Sequence, residues 1–209
     1  MEREICKYKN FEYLLQKPRK FSPDNKYPLI IVLHGAGARG NDISKFKDYV
    51  LFKIGEEYIR DAVVVMPQCF ADSWFEIFEQ LKDFINYAID NLWADKTRVY
   101  VMGASMGAYA TWQVGLSMPE KLAAIVPICG GGMYWNALRL KDVPIWAIHG
   151  EDDPTVFCEE SKKMTEAVNK KGGHAKLTIL KGVGHNAWDY GYADKDVFNW
   201  MFSQRKEIN

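Results

Sequence analysis

Five residues, Gly103-Ala104-Ser105-Met106-Gly107, sit at the junction of two runs with opposite periodicities. The run before them, Thr97-Arg98-Val99-Tyr100-Val101-Met102, is β-branched and apolar and reads as a buried strand. The run after them, Ala108-Tyr109-Ala110-Thr111-Trp112-Gln113-Val114, reads as a helix. A strand that passes into a helix through Gly-x-Ser-x-Gly must turn sharply, and glycine leaves room for the chain two residues to either side of the serine. Such a turn lifts the hydroxyl clear of the sheet. It also sets it at a helix N-terminus, where the helix dipole favours developing negative charge. Ser105 is therefore the candidate nucleophile.

The rest of the chain supplies the frame for that turn. Apolar runs at Leu29–Leu33, Ala62–Met66, Arg98–Met102, Ala123–Ile128, Val143–Ile148 and Lys176–Leu180 read as strands. Between them, Phe78–Leu92, Glu159–Lys171 and Asp194–Gln204 carry helical apolar stripes, and Gly172-Gly173 stops the second. Strands without polar alternation, separated by helices, predict an α/β fold: a mostly parallel sheet covered by helices on both faces. The region from Lys7 to Gln16 alternates less cleanly and predicts one or two edge strands. With 209 residues and no linker, repeat or low-complexity tract, one domain spanning residues 1–209 is expected.

Composition excludes several classes of partner. Lys+Arg 27 balance Asp+Glu 27, so neither a nucleic acid nor an anionic membrane surface is expected. No apolar run reaches the length of a membrane span, and the mixed charge of Met1 to Lys7 does not resemble a leader. Cys6, Cys69, Cys129 and Cys158 lack metal-ligand spacing and read as reduced thiols, which suggests a cytoplasmic protein.

In a parallel sheet the strand C-termini share one edge, and ligand chemistry gathers there. That edge filters the partners a serine nucleophile needs: a base, and a carboxylate to hold its tautomer. His174 precedes the strand Lys176–Leu180. At about 3.3 Å per residue it lies roughly 20 Å from the opposite edge. His185 follows that strand and emerges beside Ser105, so it is the candidate base. Asp142 fails the same filter, whereas Glu151, Asp152 and Asp153 all follow their strand and pass it. A tetrahedral intermediate also needs two N–H donors. One is expected from Met106, immediately after the serine, and the other from His34-Gly35-Ala36-Gly37, with Ala36 preferred over Gly37. The same loop cannot be a phosphate loop, because no Lys-Ser/Thr follows its glycines. Trp74, Tyr134, Trp135 and Trp188 fall on loops at this edge; Trp74, Trp135 and Trp188 are the candidate substrate-binding residues, able to stack on a sugar or aromatic acyl group.

These residues carry a resemblance. Tyr27 to Asp42, Met66-Pro67-Gln68-Cys69 with Ser73-Trp74, and Gly103 to Trp112 resemble the serine esterases of the α/β-hydrolase superfamily. The resemblance is to the branch of predicted peptidases, feruloyl and acetylxylan esterases and dienelactone hydrolases. His149-Gly150-Glu151-Asp152-Asp153-Pro154-Thr155-Val156 matches the His-Gly-x-x-Asp-x-x-Val pattern found after this strand in many serine hydrolases, which selects Asp153 as the acid. The order Ser105, Asp153, His185 is that of the superfamily. The resemblance implies a carboxylic-ester hydrolase with no metal and no cofactor; Arg39 departs from it, standing where an acidic residue is expected. The segment Cys129–Asp142 is too short for a lid domain, so an open groove is expected, suited to short or aromatic acyl esters, carbohydrate-linked ones included. Two other readings use the same residues: a thioesterase or lysophospholipase, and a non-catalytic binding homologue.

Overall fold

The computed structural model describes residues 1–207. Its frame is an eight-stranded sheet in the order β1-β2-β4-β3-β5-β6-β7-β8. The strands are β1 (Arg3–Tyr8), β2 (Phe11–Gln16), β3 (Tyr27–Leu33), β4 (Val63–Pro67), β5 (Ala94–Ala104), β6 (Ala124–Ile128), β7 (Ile145–Gly150) and β8 (Ala175–Leu180). The strands β3 to β8 run parallel, whereas β1 and β2 form an antiparallel hairpin that pairs antiparallel with β4. The hairpin resolves the ambiguous N-terminal region into two strands joined by Lys9, a positive-φ residue.

The helices are α1 (Val50–Ile54), α2 (Glu56–Ile59), α3 (Phe78–Asn91), α4 (Met106–Ser117), α5 (Glu159–Lys170), α6 (Trp188–Gly191) and α7 (Lys195–Ser203). The period of two along each strand divides the core in two. Leu29, Ile31, Val99 and Val101 face Phe84 and Ile85 of α3, Trp112 of α4 and Met164 of α5. Their alternating neighbours Ile30, Val32, Tyr100 and Met102 face Leu51 of α1 and Val197, Phe198 and Met201 of α7. Both strand faces are thus dry, which is why these strands read as unbroken apolar runs. Each fully buried Leu, Ile or Phe side chain contributes about 1.5–3 kcal/mol, and the two-sided burial supplies that on both faces of the sheet.

Among the described residues, no helix is long and apolar enough to cross a membrane. The stretch after β6 forms a 3₁₀ helix, Tyr134–Leu140, packed against α5 and α4.

Candidate active site

The turn between β5 and α4 has the conformation that its glycines predict. Ser105 sits at φ 55 and ψ −120, in the left-handed half of backbone space that a residue with a side chain rarely adopts. The strain is locked in by a hydrogen bond from Ser105 N–H to Ile128 O, 2.9 Å, and by the close passage of β3. A Cβ on Gly107 would lie 1.9 Å from Leu33 O, so only glycine lets α4 start this near the sheet.

Ser105 is the first of three side chains joined in a row. Its Oγ–H donates to His185 Nε2 at 2.8 Å, and His185 Nδ1–H donates to Asp153 Oδ2 at 2.7 Å. Asp153 Oδ1 accepts from the N–H groups of Thr155 and Val156, both at 2.9 Å. Burial pushes the Asp153 carboxyl up, but the bond from His185 and the two N–H groups outweigh it and hold the group below its ordinary value. The loops bearing the acid and the base touch directly, since a Cβ on Gly150 would lie 2.2 Å from Gly184 O. Asp152 and Glu151, which the edge filter also passes, are exposed. His174 lines a separate surface cavity with Pro144 and Trp200, and its carbonyl accepts from Ile145 N–H at the N-terminal end of β7.

The expected donors flank this row. Met106 is the first residue of α4, where the N–H has no partner within the helix. Ala36 opens a 3₁₀ turn, Ala36–Ala38, and shares a cavity wall with Ser105. The loop is clamped from the end of β4: Cys69 N–H donates to His34 Nε2 at 2.9 Å, and Gln68 Nε2 donates to Ala38 O at 3.0 Å. Arg39 closes the turn from the other side, donating to Ala36 O at 2.9 Å and to Asp72 O at 2.7 Å. Burial depresses His34 to about 4; the bond to Gly35 O opposes that shift and the Arg39 charge adds to it. His34 is therefore neutral, with its proton on Nδ1.

The cavity is about 440 Å³, apolar and open on one side. Ala36, Ala38, Tyr49, Val50 and Trp188 line it beside Ser105 and His185. The indole of Trp188 meets the His185 ring edge to face, with centroids 5.2 Å apart, as a groove residue would. Trp74 does not belong to the groove: it is fully buried against Phe11, and its Nε1–H donates to His34 O at 3.1 Å. An indole N–H drawn inward by an orphan carbonyl takes the ring with it, and Trp74 props the Ala36 loop instead of meeting a ligand. Trp135 is 71% exposed on the 3₁₀ helix after β6 and does not line the cavity. Tyr49 and Val50, which do, come from a short apolar segment with no clear period, and only their neighbour Phe46, buried under the Ala36 loop, hints at it.

Cys129 Sγ, an Asp153 oxygen and a His185 nitrogen lie within 4.8 Å of one another, a spacing that invites comparison with a metal site. Burial pushes the Cys129 thiol up to about 12 in the metal-free protein. Asp153 and His185 are hydrogen-bonded to each other through Oδ2 and Nδ1.

A family described as Phospholipase/Carboxylesterase matches residues 65–196. A bifunctional acetylxylan esterase/xylanase of Neocallimastix patriciarum is 31% identical over 78 residues, which is 37% of this chain and 11% of that protein. A crystal structure of a thermostable esterase superposes with a TM-score of 0.87 at 30% identity, covering 97% of this chain and 63% of that one. The chain therefore spans less than two thirds of either relative. The feruloyl esterase module from Clostridium thermocellum, complexed with sinapinate, shares the fold with a TM-score of 0.73 at 15% identity, over 100% of this chain and 89% of that one. With more than half its length matched, the chain is an α/β-hydrolase and belongs to the phospholipase/carboxylesterase family of ester-hydrolysing enzymes.

Proposed function

We propose that this protein hydrolyses carboxylic esters through an acyl-enzyme formed on Ser105. The observation that carries the reading is the unbroken row from Ser105 Oγ through His185 to Asp153, set in the wall of an apolar cleft. In that reading His185 takes the hydroxyl proton as Ser105 Oγ bonds to the substrate carbonyl carbon. The carbonyl oxygen becomes an oxyanion, held by the N–H groups of Ala36 and Met106. The intermediate collapses, the ester C–O bond breaks, and His185 returns its proton to the departing alkoxide. Water then repeats the sequence on the acyl-enzyme and releases the acid. Asp153 keeps the His185 proton on Nδ1 and steadies the imidazolium without itself taking a proton.

The substrates we assign are short or aromatic acyl esters, carbohydrate-linked ones among them. The apolar cleft with Trp188 at its rim supports an acyl group of modest size, and the acetylxylan esterase relative supports a carbohydrate alcohol. Long fatty chains need a closed tunnel to bury each methylene at about 0.8 kcal/mol, and a cleft open on one side does not provide that. The free thiols, three of them buried, support a reducing, cytoplasmic setting. The test is kcat/KM on p-nitrophenyl esters from acetyl to palmitoyl, with a cinnamoyl ester beside them. We expect a maximum at butyryl or shorter, and turnover of the cinnamoyl ester. A steady rise to palmitoyl would favour a lysophospholipase or thioesterase.

A further inference from the structure

A second histidine stands beside the Asp153 carboxylate. His149, the next-to-last residue of β7, is fully buried, and its Nε2 lies 3.4 Å from Asp153 Oδ2. The same nitrogen lies 2.9 Å from Val156 O. Both neighbours can only accept, so Nε2 carries the proton. Nδ1 meets Ser161 Oγ of α5 at 2.7 Å, and that hydroxyl also lies 2.8 Å from Gly130 O, on the loop after β6. His149 thus ties three pieces together: the turn that presents Asp153, the start of α5, and the loop behind α4.

We propose that His149 is a positioning residue for the acid, its Nε2–H holding the Asp153–Val156 turn through Val156 O and setting its dipole 3.4 Å from Oδ2, the oxygen that His185 bonds. The inference rests on the reading of Asp153 as the acid of the ester hydrolase. Its physical content is electrostatic: the Oδ2 charge that accepts the His185 N–H also lies 3.4 Å from a second imidazole nitrogen, whose N–H is hydrogen-bonded to Val156 O. Val156 is the hinge of that arrangement, because its N–H donates to Asp153 Oδ1 while its carbonyl accepts from His149. Release of the carbonyl loosens the N–H that orients the carboxylate. The titratable groups that act on His149 are Asp153 and His185; Val156 and Ser161 contribute only neutral dipoles. Burial lowers the His149 pKa against the opposing pull of Val156 O and Asp153, which favours the neutral ring.

Loss of the donor has a signed consequence. With the His149 N–H dipole gone from beside Oδ2, the carboxylate field on His185 is less offset, and the imidazolium becomes easier to form. The acid limb of kcat/KM, which reports protonation of the base in the free enzyme, then moves to higher pH. A residue that only filled space would lower the folded fraction and leave that midpoint in place.

The experiment compares wild type, His149→Leu and His149→Gln, since Gln places an N–H near Nε2 and Leu does not. In His149→Leu we expect kcat to fall roughly tenfold at unchanged KM, and the acid limb to rise by about half a pH unit. In His149→Gln the limb returns toward the wild-type value. An active His149→Leu whose limb does not move overturns the inference, as does a His149→Gln no closer to wild type than the leucine variant. Long-range ¹H–¹⁵N spectra of the imidazoles in the wild-type protein give a reading that no failed variant can spoil. A proton on His149 Nε2 supports the assignment, and a proton on Nδ1 overturns it. Asp153→Asn tests the underlying reading separately, because retained activity there removes the acid while leaving the His149 tautomer to be judged by itself.

Discussion

The same dipeptide stands at the C-terminal ends of two parallel strands, His34-Gly35 directly after β3 and His149-Gly150 closing β7, and the two imidazoles hold their protons on opposite nitrogens. His34 accepts a backbone N–H on Nε2 and donates from Nδ1 to Gly35 O. His149 donates from Nε2 to Val156 O, with Asp153 Oδ2 3.4 Å from the same nitrogen, and meets a hydroxyl on Nδ1. Both rings are buried, and desolvation lowers the pKa of each. What differs is the neighbour each must satisfy. The loop after β3 has a carbonyl and an N–H to pair, and its charge is the cation Arg39. The loop after β7 holds a carboxylate, which needs donors. Equal sequence at two strand ends therefore serves unequal chemistry, and the tautomer is chosen by the loop, not by the dipeptide.

The comparison predicts that the two arms fail by different amounts. The acid arm should fail hardest. Asp153→Asn permits the wrong imidazole tautomer and should lower kcat by about 10⁴, whereas Asp152→Asn, one residue away and exposed, should change kcat little. Steady-state rates of the two variants decide it. The oxyanion arm should lose less. Ala36 opens its 3₁₀ turn and follows Gly35 at ψ 175, a setting that proline accepts. Ala36→Pro thus deletes one N–H and little else. We expect kcat to fall by roughly 10²–10³ with the fold retained, read by kinetics beside circular dichroism. A loss as large as that of Asp153→Asn would erase the distinction between the arms.

Acid should separate them again, through stability. His34 titrates near 4 in the folded chain against 6.5 unfolded, so between those values the unfolded chain takes up a proton that the folded chain refuses. Stability is therefore full above pH 6.5 and falls as the pH drops toward 4, by roughly 3 kcal/mol from this one group. The depressed carboxyl of Asp153 adds a loss of the same sign at still lower pH, as the pH falls through its folded value. Urea midpoints measured from pH 7 to 4 should be steeper for wild type than for His34→Gln, which keeps an acceptor for Cys69 N–H and has nothing to titrate. Equal slopes would show that His34 is not the buried neutral group its contacts describe.

Much of this site was legible in the chain because a parallel sheet is a strong geometric filter. Strand ends put Ser105, Asp153 and His185 on one edge and His174 on the other, and the structure brings the first three together. The helices α3, α5 and α7 fall within a residue or two of their apolar stripes, since each buries one face on a fixed period. Edge position says which loop a residue occupies, not which way its side chain turns, and that is where Trp74 goes astray. Its ring turns inward because His34 O needs a donor, a demand set by a residue forty positions away. Tyr49 and Val50 enter the groove from a segment too short to show a period. His149 was visible as the first residue of the pattern that selects Asp153, without a role of its own; its contact with the acid depends on a turn, Asp153–Val156, whose path follows from side-chain bonds instead of periodicity.

Peptide mass spectrometry after treatment with a fluorophosphonate tests directly whether Ser105 is the nucleophile. A single stoichiometric adduct on Ser105 is expected, formed at a rate that collapses in His185→Ala. A label on any other residue, or ester turnover that persists in a protein carrying no label, would contradict it.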